Sequence, residues 1–151
     1  MSMEKVAEII ASAGHGAMAT CLAGRPRVRP MAFILRPDGC LWSSTYRQSG
    51  KVREWEADPH VEICFVDDRK NQVRVEGLVD LGGGEAEKRA LLEANPKVGR
   101  HFSDETDPRF VHVAVRPTRV RWKPPGFCEY QEVSSGHDAT QQKSPRQGAG
   151  S

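Results

Sequence analysis

The stretch Gln72-Val-Arg-Val-Glu-Gly77, preceded by Ser43-Ser-Thr-Tyr-Arg-Gln-Ser-Gly-Lys-Val-Arg53, decides the fold of this chain. In the first stretch polar and apolar residues alternate, which is typical of a strand with one buried face. The second places hydroxyl side chains at a strand end and Ser49 as the N-cap of a following helix. A helix start beside hydroxyl groups and a lysine predicts a place where a phosphate can bind.

Length and hydropathy predict one folded domain with a tail. The chain has 151 residues and is 38% hydrophobic, which suits a single domain. The apolar runs predict a domain over residues 1–125 and an extension over 126–133. Residues 134–151 are rich in Ser, Gln and Gly without periodic apolar positions, so we expect them to be disordered.

Charge and cysteine usage exclude several classes of protein. The 22 basic and 20 acidic residues are interspersed, which gives no basic patch for nucleic acid. The four cysteines form no Cys-x-x-Cys pair and accompany no His cluster, so no metal site is expected. No apolar run approaches the ~18 residues of a membrane span, and no signal peptide is recognised. A reducing cytoplasm is therefore expected.

Hydrophobic periodicity predicts a mainly β fold with inserted helices. Helices are expected from Ser2 to Ala13, from Gly50 to Ala57 and from Glu85 to Ala94. Strands are expected at 16–21, 28–35, 40–45, 61–66, 72–81, 110–115 and 118–123, with 28–45 forming a hairpin around the turn Arg36-Pro-Asp-Gly39. Short strands that do not alternate regularly with helices favour an antiparallel barrel over a doubly wound sheet.

Four segments in this order resemble one known family. They are Gly24-Arg-Pro-Arg-Val-Arg-Pro-Met31, Trp42–Lys51, Asp58-Pro59 and Gln72–Gly77. Over about residues 3–123 the chain resembles the FMN-binding split-barrel proteins related to pyridoxamine 5′-phosphate oxidase, in particular their small general-stress-protein branch. The resemblance implies an antiparallel split β-barrel and a homodimer that binds FMN in the grooves between its subunits.

The resemblance also implies which residues contact the FMN phosphate and ribityl chain. These residues offer a positive charge, a hydroxyl or a helix N-terminus, and they are Arg29, Ser44, Thr45, Ser49, Gly50 and Lys51. Charge-assisted bonds from lysine and arginine suit a phosphate dianion. The alternative is that Ser49 only caps its helix and that Lys51 is solvated.

A second set of residues is implied to contact the flavin ring. The backbone of Pro30, Met31 and Ala32 is expected to pass along the ring. Gln72 is expected to reach its polar edge from the partner subunit, although a glutamine in this position is otherwise typical of a turn. Trp122 is expected either to stack near the flavin or the dimer seam, or to pack in the core.

Two departures from the family argue against oxidation of pyridoxamine 5′-phosphate. Ile34 stands where the oxidase has a lysine, and no Arg-x-His motif follows Trp122. The catalytic residues, if any, stay unknown, because His101 and His112 have no carboxylate partner that the sequence can assign.

The leading hypothesis is an FMN-dependent oxidoreductase of unknown substrate. One alternative is a flavin-binding or flavin-sensing protein without catalysis. Another is a haem- or deazaflavin-binding relative, in which His15, between two glycines, is a candidate haem ligand.

Overall fold

Three α-helices accompany the sheet. The computed structural model describes residues 3–133. Its helices are α1 (Met3–Ala13), α2 (Gly50–Ala57) and α3 (Glu85–Ala94), and a 3₁₀ helix (Pro96–Arg100) follows α3. The three helices lie where the sequence predicts them, whereas the proposed cap Ser2 and the tail 134–151 lie outside the described residues. None of these helices is long and apolar enough to cross a membrane.

Eight antiparallel strands form one curled sheet, the half-barrel of a split-barrel fold. They are β1 (His15–Leu22), β2 (Arg25–Ala32), β3 (Ile34–Leu35), β4 (Leu41–Tyr46), β5 (His60–Val66), β6 (Gln72–Asp80), β7 (Phe110–Lys123) and β8 (Gln131–Val133). The strand order is β2-β1-β5-β6-β7-β4-β3, and β8 pairs with β7. The predicted fold class is confirmed. The extension 126–133 contributes β8, which the sequence did not predict.

The predicted hairpin over 28–45 is wrong in its extent. The chain reverses through Ala23 and Gly24, which have φ of 52° and 75°, so β2 begins at Arg25 and pairs with β1 along its whole length. Phe33 then leaves the sheet and packs edge-on against Phe65, with ring centroids 5.8 Å apart. Burial of the Phe33 ring interrupts the strand predicted over 28–35. Only the last two residues of that strand form β3 and pair with β4.

The main core fills the concave side of the sheet. The apolar stripe of α1 (Val6, Ile9 and Ile10) packs into it against inward-facing strand residues such as Ile63 and Phe65. Full burial of an aliphatic or aromatic side chain of this size contributes about 1.5–3 kcal/mol. The core therefore holds α1 against the sheet.

A second apolar cluster lies on the other side of β7. It contains Leu91, Val98, Phe102 and Phe110, and the rings of Phe102 and Phe110 stack with centroids 4.4 Å apart. The main core and this cluster cover both faces of β7 at its start. Four consecutive residues there are therefore buried. This cluster fixes α3 and the 3₁₀ helix beside β4.

Candidate functional site

A groove lies between the two free edges of the curled sheet. β2 is the first strand of the sheet, and β4 pairs with β3 only at Leu41 and Trp42, which leaves the edge from Ser43 to Tyr46 open. Pro30, Met31 and Ala32 line one side of the groove, β4 lines another, and α3 with the segment after it covers it. Its volume of ≈ 710 Å³ is suited to a cofactor-sized ligand.

The walls of the groove combine aromatic rings with positive charge. The rings belong to Phe33, Trp42, Tyr46 and Phe102, and the charged or ionisable side chains belong to Lys51, Lys97, Arg100, His15 and His101. No Asp or Glu is among the described residues that line the groove. Within residues 3–133 the two lysines and the arginine form no ion pair. Such a site favours a planar ligand that carries negative charge.

Lys51 reaches the groove from the first turn of α2. Ser49 is the N-cap, and its Oγ accepts a hydrogen bond from the backbone N–H of Lys51 at 3.3 Å. Burial lowers the pKa of the Lys51 ammonium and the nearby Arg29 lowers it further, while Glu54 opposes this. A bound phosphate would relieve this half-buried cation, and the helix N-terminus would add to the attraction.

Arg29 is engaged by a buried carboxylate and does not line the groove. Its guanidinium donates to Glu54 Oε1 at 2.5 Å and to Thr20 Oγ1 at 2.9 Å, and the Glu54 side chain is only 9% exposed. Burial tends to raise the pKa of Glu54, but the hydrogen bonds from Thr20 and Arg29 lower it below its ordinary value. This cluster ties α2 to β1 and β2. A phosphate contact by Arg29 stays a prediction.

The predicted hydroxyl pair lies on opposite faces of β4. Thr45 is buried on the concave side, whereas Ser44 is on the side of Trp42 and is paired in register with His112. Both still line the groove, which runs along the strand edge. The neighbouring Ser43 donates its Oγ–H to the Ala32 carbonyl at 2.6 Å, which joins the two sides of the groove.

Gln72 and Trp122 lie towards the other end of the sheet. Along β7, Gln72 pairs with Lys123 and Ser44 pairs with His112, so on the order of 35 Å of strand separates them. Trp122 is partly buried against the main core, and neither residue lines this groove. A ligand that touches both Lys51 and Gln72 would therefore need two copies of the chain.

Two predicted phosphate contacts, Ser49 and Gly50, are not part of the groove lining, and a basic segment after α3 that was not predicted is part of it. Ser49 and Gly50 do not line it, although they form the start of α2 that presents Lys51. Lys97 and Arg100 do line it, from the 3₁₀ helix. The available signal was the basic run in 95–101, directly after a helix that ends before Pro96.

A buried histidine packs against Trp42, which lines the groove. His112 is 2% exposed, and neither ring nitrogen has a hydrogen-bond partner among the described residues. Its ring meets that of Trp42 edge-on at 4.5 Å, and the Arg36 guanidinium lies 4.3 Å from the Trp42 ring. Burial lowers the pKa of His112, so its imidazole is held in the neutral form.

Comparison with known proteins identifies the family. The family described as pyridoxamine 5′-phosphate oxidase matches residues 2–123, and the chain belongs to this family. No curated protein sequence matches significantly.

Solved structures show the same fold. The general stress protein 26 of Bacillus anthracis is 24% identical with a TM-score of 0.70, over 85% of this chain and 96% of that one. An F420 reductase is 23% identical with a TM-score of 0.61, over 75% and 93%. A heme binding protein of Mycobacterium smegmatis is 21% identical with a TM-score of 0.71, over 87% and 57%.

Proposed function

We propose that this protein is an FMN-binding flavoprotein that acts as a flavin-dependent oxidoreductase. The observation that carries the proposal is the groove between β2 and β4. It presents Lys51, Lys97 and Arg100 beside aromatic rings, with no carboxylate among its described lining residues. FMN combines a phosphate dianion with a planar aromatic ring, which matches both properties of the groove.

Each part of the groove has a role in this proposal. Lys51 and the N-terminus of α2 hold the phosphate, and Ser44 and Thr45 offer hydroxyls to the ribityl chain. The chain from Pro30 to Ala32 lies along the ring. FMN, when bound, supplies the transfer of hydride or electrons, while the protein orients it and excludes water from its inner side.

The complete site requires a homodimer in this proposal. Gln72 lies far along the sheet from the groove of its own chain, so it would serve the groove of the partner subunit. Pairing would also cover the open edges of the sheet at β2 and β4. Each dimer would then contain two equivalent FMN sites.

Pyridoxamine 5′-phosphate is not the proposed substrate. Ile34 lines the groove, and its apolar side chain offers no charge to a second phosphate. The remaining cations of the groove, Lys97 and Arg100, lie on the 3₁₀ helix and do not form an Arg-x-His motif like that of the oxidase. The expected result is no turnover in an assay for pyridoxal phosphate or hydrogen peroxide release.

The two histidines of the groove favour haem as a second candidate ligand. His15 and His101 both line it, and imidazole nitrogens are axial ligands of haem iron. A deazaflavin such as F420 shares the ring shape and negative charge of FMN. The absorption spectrum of purified protein separates the three, since haem gives a Soret band and flavin and deazaflavin have different visible maxima.

The first prediction tests the phosphate contact. Lys51→Ala is expected to weaken FMN binding about ten- to hundredfold, because it removes a charge-assisted bond, and to leave the fold intact. Titration of apo-protein with FMN, followed by flavin fluorescence, gives Kd. Lys5→Ala, at an exposed position of α1, is the control and should bind as the wild type does. An unchanged Kd for Lys51→Ala would remove this residue from the site.

Catalysis and sensing are separated by turnover. Reduction of the FMN-loaded protein by NADH or NADPH, followed by reoxidation with an added acceptor over many cycles, is expected of an oxidoreductase. A protein that binds FMN but does not turn over with any donor and acceptor pair would instead be a flavin-binding or flavin-sensing protein.

We place the protein in a reducing cytoplasm. Cys21, Cys40, Cys64 and Cys128 are all free thiols. Burial raises the pKa of the Cys40 and Cys64 thiols, with Asp38 adding to the effect at Cys40, so both stay protonated and unreactive. Four unpaired cysteines are typical of a compartment in which thiols stay reduced.

A further inference from the structure

Tyr130, just before β8, contacts the outer face of β6 and β7. Its O–H donates a hydrogen bond to Gln72 Oε1 at 2.6 Å. The centre of its ring lies 5.2 Å from the Arg121 guanidinium carbon, 5.3 Å from that of Arg74 and 6.0 Å from Lys123 Nζ. Three cations therefore surround the ring, and its hydroxyl reaches the glutamine expected at the flavin.

The position of Tyr130 is fixed by the strand that follows it. β8 pairs with the end of β7 through Gln131 and Glu132, and Val133 is buried in the main core. Glu132 also accepts a hydrogen bond from Arg119 at 2.7 Å. Because the chain is anchored directly after Tyr130, little entropy is lost when its hydroxyl holds Gln72.

The surrounding charges determine the direction of the hydrogen bond. Arginine and lysine side chains have no acceptor, so the three cations around the ring cannot take the Tyr130 proton, and the O–H donates to Gln72 Oε1. Only the amide oxygen of Gln72 accepts such a proton. The amide group of Gln72 then has both of its N–H donors left for another partner.

We infer that Tyr130 is a positioning residue of the cofactor site, which orients the Gln72 amide so that its N–H groups, and not its oxygen, face the flavin in the partner subunit. This inference rests on the proposed function. The ligand atoms that match two N–H donors are acceptors, namely carbonyl oxygens and unprotonated ring nitrogens. The polar edge of a flavin ring presents both.

A double-mutant cycle tests this role. Tyr130→Phe keeps the ring over the guanidinium groups and removes only the hydroxyl. It is expected to weaken FMN binding about three- to tenfold, as loss of one oriented hydrogen bond does. In a Gln72→Ala background the same change is expected to have no further effect. Both single variants should also shift the visible absorption bands of bound FMN in the same direction, which a general loosening of the fold would not do.

Two further variants make the test decisive. Gln72→Glu keeps an oxygen for Tyr130 but replaces both donors with an acceptor, so it should bind FMN no better than Gln72→Ala. Glu129→Ala, at the exposed position next to Tyr130, is the control, and it should leave Kd and the spectrum unchanged.

The possible failures are distinguishable. Wild-type protein that binds no FMN would overturn the proposed function and this role together. Tight wild-type binding with an unaffected Tyr130→Phe variant, an undiminished effect of Tyr130→Phe in the Gln72→Ala background, or retained affinity in Gln72→Glu would overturn the positioning role alone.

Discussion

Gly83 and His112 show how one missing side chain shapes this protein at the residue scale. A Cβ at position 83 would lie 2.5 Å from His112 Nδ1, well inside van der Waals contact. Glycine therefore allows the backbone to cover the buried imidazole, which in turn packs on Trp42 at the groove. A side chain here would have to displace the histidine ring.

The second prediction follows from this contact. Gly83→Ala is expected to lower the free energy of unfolding by about 1–3 kcal/mol, the usual effect of overpacking a buried site. Gly99→Ala is the control, since the nearest atom to a Cβ there is 3.9 Å away, an ordinary contact distance. Urea unfolding of the two variants measures the difference. Equal stability of the two variants would mean that the loop moves away from His112 without cost.

The third prediction concerns pH and His112. Burial is the main cause of the lowered pKa of His112. Of the charged groups that face it, Lys88 and Arg36 lower the pKa further, whereas Glu87 and Asp80 raise it. The net pKa is lowered, so below the ordinary value of 6.5 the unfolded state binds more protons than the folded state. Stability should fall as the pH drops from 6.5 towards the lowered pKa of the folded state.

A comparison of variants isolates this contribution. His112→Leu is expected to flatten the dependence of unfolding free energy on pH in this window, because it removes the titrating group. Ser44→Ala, in register with His112 but without an ionisable group, should leave the dependence as in the wild type. An unaltered slope in His112→Leu would assign the acid sensitivity to other groups.

At the scale of elements, α2 is held by a polar cluster that is buried beneath it. Glu54 on α2 faces Thr20 on β1 and Arg29 on β2, so one carboxylate joins three elements. Burial of this charge is tolerated because Arg29 and Thr20 both donate hydrogen bonds to it. The cluster sets the position of the helix start that carries Lys51.

The fourth prediction separates support from ligand binding. Glu54→Ala and Arg29→Ala are each expected to cost about 3–5 kcal/mol of stability, because each leaves a buried charge without its partner. The apolar pair Arg29→Met with Glu54→Leu should recover much of the loss. Stability is measured by urea unfolding and FMN affinity by titration. Wild-type FMN affinity in this double variant would show that Arg29 supports α2 and does not bind the phosphate.

At the scale of the whole molecule, the predicted site residues lie in two separate regions of the chain. The groove holds the cations and aromatic rings, while Gln72 lies towards the other end of the sheet. The edge strand β2 also exposes Val28, of which 69% is accessible. Both features are explained if two copies associate.

The fifth prediction is a homodimer with shared sites. Light scattering should give about twice the chain mass of 16.7 kDa. When Lys51→Ala and Gln72→Ala chains are unfolded together and refolded, mixed dimers should regain tight FMN binding. One of their grooves contains an intact Lys51 and, across the interface, an intact Gln72. Each variant refolded alone is the control. A monomer at micromolar concentration, or mixtures that bind as the separate variants do, would contradict shared sites.

The sequence by itself determined the elements whose signals are local. Alternation placed most strands, and Ser49 marked the start of α2. The family resemblance assigned Lys51, Ser44 and Met31 to one site, and all three line the groove. The tertiary structure alone decided which distant residues meet. Arg29 pairs with Glu54, 25 residues away. The sequence could not predict this pairing, because no periodic pattern encodes a contact between a strand and a helix.

The remaining differences have the same cause. Within the apolar run of β5, Cys64 lies on the outer face of the sheet beside Arg74, since neighbouring strand residues point to opposite sides. Lys97 and Arg100 reach the groove only because Val98 and Phe102 pack on β7. Local propensity and periodicity were enough to determine the helices and most strands, whereas the groove depends on how the curled sheet brings its two free edges together.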